Sequence, residues 1–294
     1  MNGACDPPEK PYLCPMSVTA EAVKRLREVT GAGIMDCKKA LEESNGEFEK
    51  AIEILRKKGH KMAAARQERT AREGAVFAAT QKTVGHLLLL ACETDFVARN
   101  ADFQAFGKAL VEAALQQGVS SREELTSLKI NGVSFADKLA ELTTRIGEKI
   151  EVGEWGRLEG EYVTAYIHLG GRIGVLVALR GTGNLPEETL YEVGQNIAMQ
   201  VAALRPISVN RNEVPRDILE KEKEIAREQA RAEGKPEHIL EKIAVGKLEK
   251  FFKEVVLLEQ EYFKDPQKTV AQYLKSVSPS LEVAGFLRFQ VAGK

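Results

Sequence analysis

Histidine and cysteine are scarce, and neither is grouped. The four cysteines (Cys5, Cys14, Cys37, Cys92) include no CxxC pair, which argues against a zinc site. The four histidines (His60, His86, His168, His238) form no HExxH or HxH grouping, which argues against a metalloenzyme. No apolar run approaches the ~18 residues that a membrane helix needs. Charge of one sign is missing too: 42 Lys and Arg against 43 Asp and Glu leave a net charge of -1. No global field therefore favours nucleic acid or an anionic membrane. No nucleophile–base pair and no phosphate loop stands out, so bond-making catalysis and a bound cofactor are not expected. Cys37 and Cys92 lie in apolar patterns and read as buried small hydrophobes. That suits a reducing, cytoplasmic setting.

What is present describes a folded protein. Of 294 residues, 44% are hydrophobic and 29% charged, with room for two or three domains. Residues 1–15 are proline-rich and aperiodic, and read as a disordered extension. They have neither the basic start and apolar core of a secretory signal nor the arginines of a mitochondrial presequence, and Met16 is a candidate start.

Residues 16–59 carry three short helical patterns, a small bundle of the ubiquitin-associated (UBA) type. The first holds Val23, Leu26 and Val29 after Thr19 as a candidate cap, and Gly31-Ala32-Gly33 ends it. The second holds Ile34, Cys37, Ala40 and Leu41, and the turn Ser44-Asn45-Gly46 follows. The third holds Phe48, Ala51, Ile52 and Leu55 and is expected to stop at Gly59. Two readings stay open for Ile34 and Met35: an exposed pair beside Lys24 and Arg27 is a docking surface, and a buried pair completes a small core. Residues 60–72 read as a helical linker with a solvated basic face. No interleaved aromatics suggest an RNA-binding arm.

The rest of the chain is duplicated. Glu73-Gly74 opens one apolar segment and Glu159-Gly160 another, 86 residues later, and the same offset carries Gly85 onto Gly171. Each segment turns into a second apolar strand, Leu87–Cys92 and Ile173–Leu179, and then enters a helix. Closing strands are expected at 149–152 and 285–291. The pattern implies an α+β fold with two related core subdomains, each built on a small antiparallel sheet. We place them at 73–157 and at 158–210 with 255–294. Residues 211–254, densely charged in both signs, read as an inserted coiled-coil helical hairpin.

The turn after the first central strand stands apart. Cys92-Glu93-Thr94-Asp95-Phe96-Val97 lies where a buried strand gives way to a helix beginning near Ala101. Either Asp95 caps that helix and Phe96 enters the core, or the pair is pushed outward. The second copy has Arg180-Gly181 in place of Thr94-Asp95, so the scaffold does not require the acidic–aromatic pair. Gly181-Thr182-Gly183-Asn184-Leu185-Pro186 lacks the third glycine of a dinucleotide loop. It reads instead as a helix start with Asn184 as the nearby cap.

Three stretches carry a family resemblance. Val23 to Leu41, with Thr30-Gly31-Ala32-Gly33 and Asp36-Cys37-Lys38-Lys39-Ala40-Leu41, resembles the opening of bacterial translation elongation factor Ts. Thr94-Asp95-Phe96-Val97 resembles that family's second signature, in the right order and at the right separation. Asp265-Pro266-Gln267-Lys268-Thr269-Val270 resembles a further element. The resemblance implies a guanine-nucleotide exchange factor for elongation factor Tu, binding its GDP-bound and nucleotide-free forms. It implies that Asp95 and Phe96 reach the partner's Mg²⁺ region, with Thr94 and Val97 holding the turn. His168 would support the contact, and Lys24, Arg27, Ile34 and Met35 would anchor the N-terminal bundle. It implies no cofactor, no metal of its own, and no direct nucleic-acid or membrane contact. A homodimer through the core or the hairpin stays open, as does a UBA-type adaptor without exchange activity.

Overall fold

The computed structural model describes residues 18–292; the expected extension at 1–15 lies outside them. In order the elements are α1 (Ala20–Thr30), α2 (Ile34–Glu43), α3 (Phe48–Ala65), β1 (Glu73–Gln81) and β2 (Val84–Cys92). Next come α4 (Asp95–Ala98), α5 (Ala101–Gln116), α6 (Arg122–Thr126), β3 (Lys129–Ile130), β4 (Val133–Ser134) and α7 (Phe135–Ile146). Then follow β5 (Ile150–Glu159), β6 (Tyr162–His168), β7 (Ile173–Arg180), α8 (Glu187–Leu204), α9 (Arg216–Ala232) and α10 (Glu237–Val255). The last are β8 (Glu261–Tyr262), β9 (Asp265–Thr269), α11 (Val270–Val277) and β10 (Glu282–Gln290). The fold is α+β, with small antiparallel sheets. The chain forms two compact units, Met1–Arg69 with Ala136–Lys149, and Thr70–Phe135 with Ile150–Lys294.

In the first unit the Thr19 hydroxyl accepts from the Ala22 amide at 3.1 Å and starts α1. Gly31 stops it at φ +64, a conformation open to glycine, and its amide returns to the Arg27 carbonyl. One apolar stripe from each of α1, α2 and α3 meets in a core of Val23, Leu26, Cys37, Ala40, Leu41, Ala51 and Leu55. The expected stop at Gly59 is wrong, because α3 continues to Ala65. Gly59 is instead a point of close approach: a Cβ there would lie 2.8 Å from Thr144 Oγ1 and 3.1 Å from the Ala140 carbonyl. Its missing side chain is what lets α7 lie against α3.

In the second unit β1, β2 and β5 form one sheet and β10, β7 and β6 the other, each with its most apolar strand in the centre. Register runs from Glu73 opposite Cys92 to Gln81 opposite Val84, and from Tyr162 opposite Leu179 to His168 opposite Ile173. Alternation sends Val76, Leu87, Leu89 and Ala91 to one face, where they pack on Val163, Leu176, Ala178 and Phe289 of the other sheet. A helix covers each outer face. Gly107 of α5 sits over Phe77, and Gly194 of α8 sits over Thr164, so close that a methyl at either glycine would overlap that neighbour. Both members of the second pair stand 87 residues after those of the first, so the duplication extends to helix–sheet packing.

His86 of β2 is fully buried, and neither ring nitrogen has a hydrogen-bond partner. Burial, helped by the Arg157 guanidinium opposite it, lowers its pKa from 6.5 to about 4, so the ring is neutral. Its neighbour is Trp155, with ring centroids 5.8 Å apart.

The expected cap at Asn184 is also wrong. Pro186 is the N-cap residue of α8, and no side chain caps that end. Helices α9 and α10 pack on each other through Ala226, Ala230, Leu240 and Ala244. At their base Arg211 binds Glu249 and Glu259, and its guanidinium lies 4.4 Å from the Phe252 ring centroid. The two carboxylates raise the Arg211 pKa further.

Candidate functional site

Strand β2 ends at Cys92, and the chain then makes a single helical turn before α5. Thr94 is extended, and its hydroxyl accepts from the Val97 amide at 3.4 Å, capping α4. Asn100 caps α5, its Oδ1 accepting from the Asp102 amide at 2.9 Å and the Phe103 amide at 3.4 Å. Asp95 therefore caps neither helix; it faces Arg99 one turn on, at 3.2 Å. Residues in one turn point about 100° apart. With Val97 and Ala98 buried against the sheet, Phe96 must point away, and it is 84% exposed. Of the two open readings, capping by Asp95 with Phe96 in the core is thereby excluded. No other large apolar side chain among the described residues is as exposed. Leaving it in water forgoes about 2 kcal/mol of burial.

His168 ends β6, half-buried. Its Nδ1 is 2.7 Å from the Tyr166 hydroxyl, and the two rings stack loosely, with centroids 5.6 Å apart. Beyond it Leu169, Gly170 and Gly171 have φ of +50, +64 and +98. A leucine held left-handed costs about 1–2 kcal/mol, and here that backbone presents a side chain that is 67% exposed. The following Arg172 pairs with Glu73 at 3.0 Å. Glu73 opens β1 opposite Cys92. The α4 turn and the β6–β7 tip thus share the same end of the first hairpin.

The equivalent exit from β7 is built differently. Gly181 (φ +67) leaves the strand pressed against the Ser280 carbonyl, and the Ser280 hydroxyl donates to the Gly181 carbonyl at 2.9 Å. Glu161 holds the next residue through the Thr182 amide and hydroxyl, at 2.9 and 2.8 Å. Those bonds also lower the Glu161 pKa.

In the first unit Lys24, Arg27 and Ile34 come together around a groove of about 410 Å³, with Val18, Val23 and Lys38. Ile34 is 55% exposed, so it does not complete the core. Met35 is 62% exposed but does not line the groove. Sequence reasoning missed two residues. Leu169 could have been found as an apolar residue inside a Leu-Gly-Gly turn, and Lys38 as the basic residue one helical turn after Ile34.

Among the described residues no three His, Cys, Asp or Glu are grouped to hold a metal ion. No helix there is long and apolar enough to cross a membrane. The second unit thus presents protruding apolar side chains on a braced frame, and the first unit a basic-rimmed groove.

A family profile described as Elongation factor TS matches residues 93–293. The Elongation factor Ts of Cytophaga hutchinsonii is 44% identical over 279 residues, covering 94% of this chain and 99% of that protein. That of Amoebophilus asiaticus is 45% identical over 278 residues, with 94% and 99% covered. That of Christiangramia forsetii is 46% identical over 273 residues, with 92% and 97% covered. The family profile and these near full-length matches lead to one conclusion: the chain belongs to the elongation factor Ts family of translation elongation factors.

Proposed function

We propose that the protein is a guanine-nucleotide exchange factor for elongation factor Tu. The observation that carries this reading is Phe96, a phenylalanine kept in water on a capped turn whose neighbours are buried. A tightly bound GDP owes much of its affinity to Mg²⁺ bridging phosphate and protein oxygens. Phe96 acts as an apolar wedge beside that region, and Asp95 perturbs its polar ligands. Thr94 and Val97 hold the turn. His168 and Leu169 add a contact from the second sheet. Lys24, Arg27, Ile34 and Met35 dock the N-terminal unit. No covalent bond is made or broken. Reciprocity requires that GDP weaken the protein's grip on its partner by the factor by which the protein weakens GDP.

The test is stopped-flow release of a fluorescent GDP analogue from elongation factor Tu at several Mg²⁺ concentrations. We expect rapid release with the wild type and at least about tenfold slower release with Asp95→Ala/Phe96→Ala, roughly 1.4 kcal/mol of lost stabilisation. Unchanged rapid release by the double variant would keep the activity and refute the wedge. The absence of any acceleration by a folded wild type would leave an adaptor, and Ile34→Asp in the groove should then abolish partner binding.

A further inference from the structure

The Tyr166–His168 pair carries an inference about what His168 offers a partner. It rests on the exchange-factor reading for its partner half only. Tyr166 and His168 are two apart on β6 and so lie on one face of the strand. The tyrosine ring packs against the core formed by β7, α8 and α11, in company with Ile173. Its hydroxyl reaches His168 Nδ1 at 2.7 Å. Two assignments satisfy that distance, and chemistry separates them. A phenol is a far stronger acid than a neutral imidazole N–H, so it is the natural donor of the two. His168 is the hydroxyl's one partner among the described residues.

We propose that Tyr166 is a positioning residue that holds His168 in the tautomer with hydrogen on Nε2, so that His168 meets its partner as a hydrogen-bond donor to an oxygen acceptor. The ring cannot flip without losing the Tyr166 bond. It is also seated directly before the Leu169-Gly170-Gly171 tip, which the Arg172–Glu73 pair ties to β1. Tyr166 itself touches no nucleotide and need not touch the partner. Its effect passes through the imidazole.

With four histidines in the chain, long-range ¹H–¹⁵N correlation spectra of ¹⁵N-labelled protein at pH 8 can resolve each ring. We expect His168 to show a pyridine-like Nδ1 and a protonated Nε2 in the wild type. In Tyr166→Phe, which removes one oxygen and keeps the ring, the two tautomers should mix. A His168 protonated on Nδ1, or a tautomer unmoved by Tyr166→Phe, overturns the assignment without any reference to elongation factor Tu. The partner half is read from GDP-release rates of wild type, Tyr166→Phe, His168→Ala and the double variant. Loss of one neutral hydrogen bond predicts release slower by about two- to tenfold for Tyr166→Phe. Adding Tyr166→Phe to His168→Ala should cost nothing more. A full additional loss in the double variant would show that Tyr166 acts through packing and overturn the positioning role. A wild type that accelerates nothing refutes the exchange reading and the partner half together, while the spectra still decide the tautomer.

Discussion

Lowering the pH should destabilise the second unit through one residue. His86 is buried, neutral and without hydrogen bonds, with its pKa lowered from 6.5 to about 4. Because the folded value lies below the unfolded one, the unfolded chain binds more protons between the two. Stability is therefore complete above about pH 6.5, falls as the pH drops through that window, and levels off below about 4. Each pKa unit is worth 1.36 kcal/mol, so the whole window spans roughly 3 kcal/mol and the fall from pH 7 to 4.5 roughly 2.5 kcal/mol. The charged group facing His86 is Arg157 on β5, itself paired with Glu159, which moderates its repulsion. The assay is urea unfolding at pH 7 and 4.5 for the wild type and His86→Leu, followed by circular dichroism and by Trp155 fluorescence. Carboxylates titrate equally in both proteins, so the difference between them isolates the histidine. We expect the variant to gain about 2.5 kcal/mol on the wild type as the pH falls. A difference that stays constant within ~0.5 kcal/mol would refute the reasoning, because it would mean that His86 takes up its proton in the folded state.

Two further outcomes follow from packing. Gly107→Ala should gain about 1 kcal/mol of helix propensity yet lose more by driving a methyl into Phe77, lowering the melting temperature, and Gly194→Ala over Thr164 should do the same. Arg211→Ala should loosen the base of the α9–α10 pair by about 1 kcal/mol, a charged hydrogen-bond network discounted for exposure, seen as faster amide exchange in α10 with α5 unchanged.

The duplicated sheets were legible because a strand buried on both faces, such as Leu87–Cys92, has a run of apolar residues that few other structures use. Capping at Thr19 and the stop at Gly31 were legible for a similar reason: each rests on local chemistry. Gly59 was misread because its local signal was overruled from outside, and Asn184 because the helix starts later than its position allows. A glycine that looked like a helix end is where α7 approaches, and Asn184 lies two residues before the N-cap, Pro186, where no side chain caps. The stretch Thr94–Val97 announced itself by composition, but its direction did not. A helix of four residues has no periodicity to read, and only the burial of Val97 and Ala98 determines where Phe96 points.

The contrast between the two strand exits has a mechanical meaning. At β7 the chain is committed to closure: Gly181 fits under Ser280 with no room for a side chain, and Glu161 ties down the turn beyond. At β2 the corresponding corner is held by local caps instead, Thr94 for α4 and Asn100 for α5. One copy of the repeat thus bears the joinery, while the other leaves Phe96 in solvent. On the exchange reading proposed above, a change at Phe96 or Asp95 should alter the grip on the partner without loosening the frame, whereas the same experiment at Gly181 would be a test of assembly.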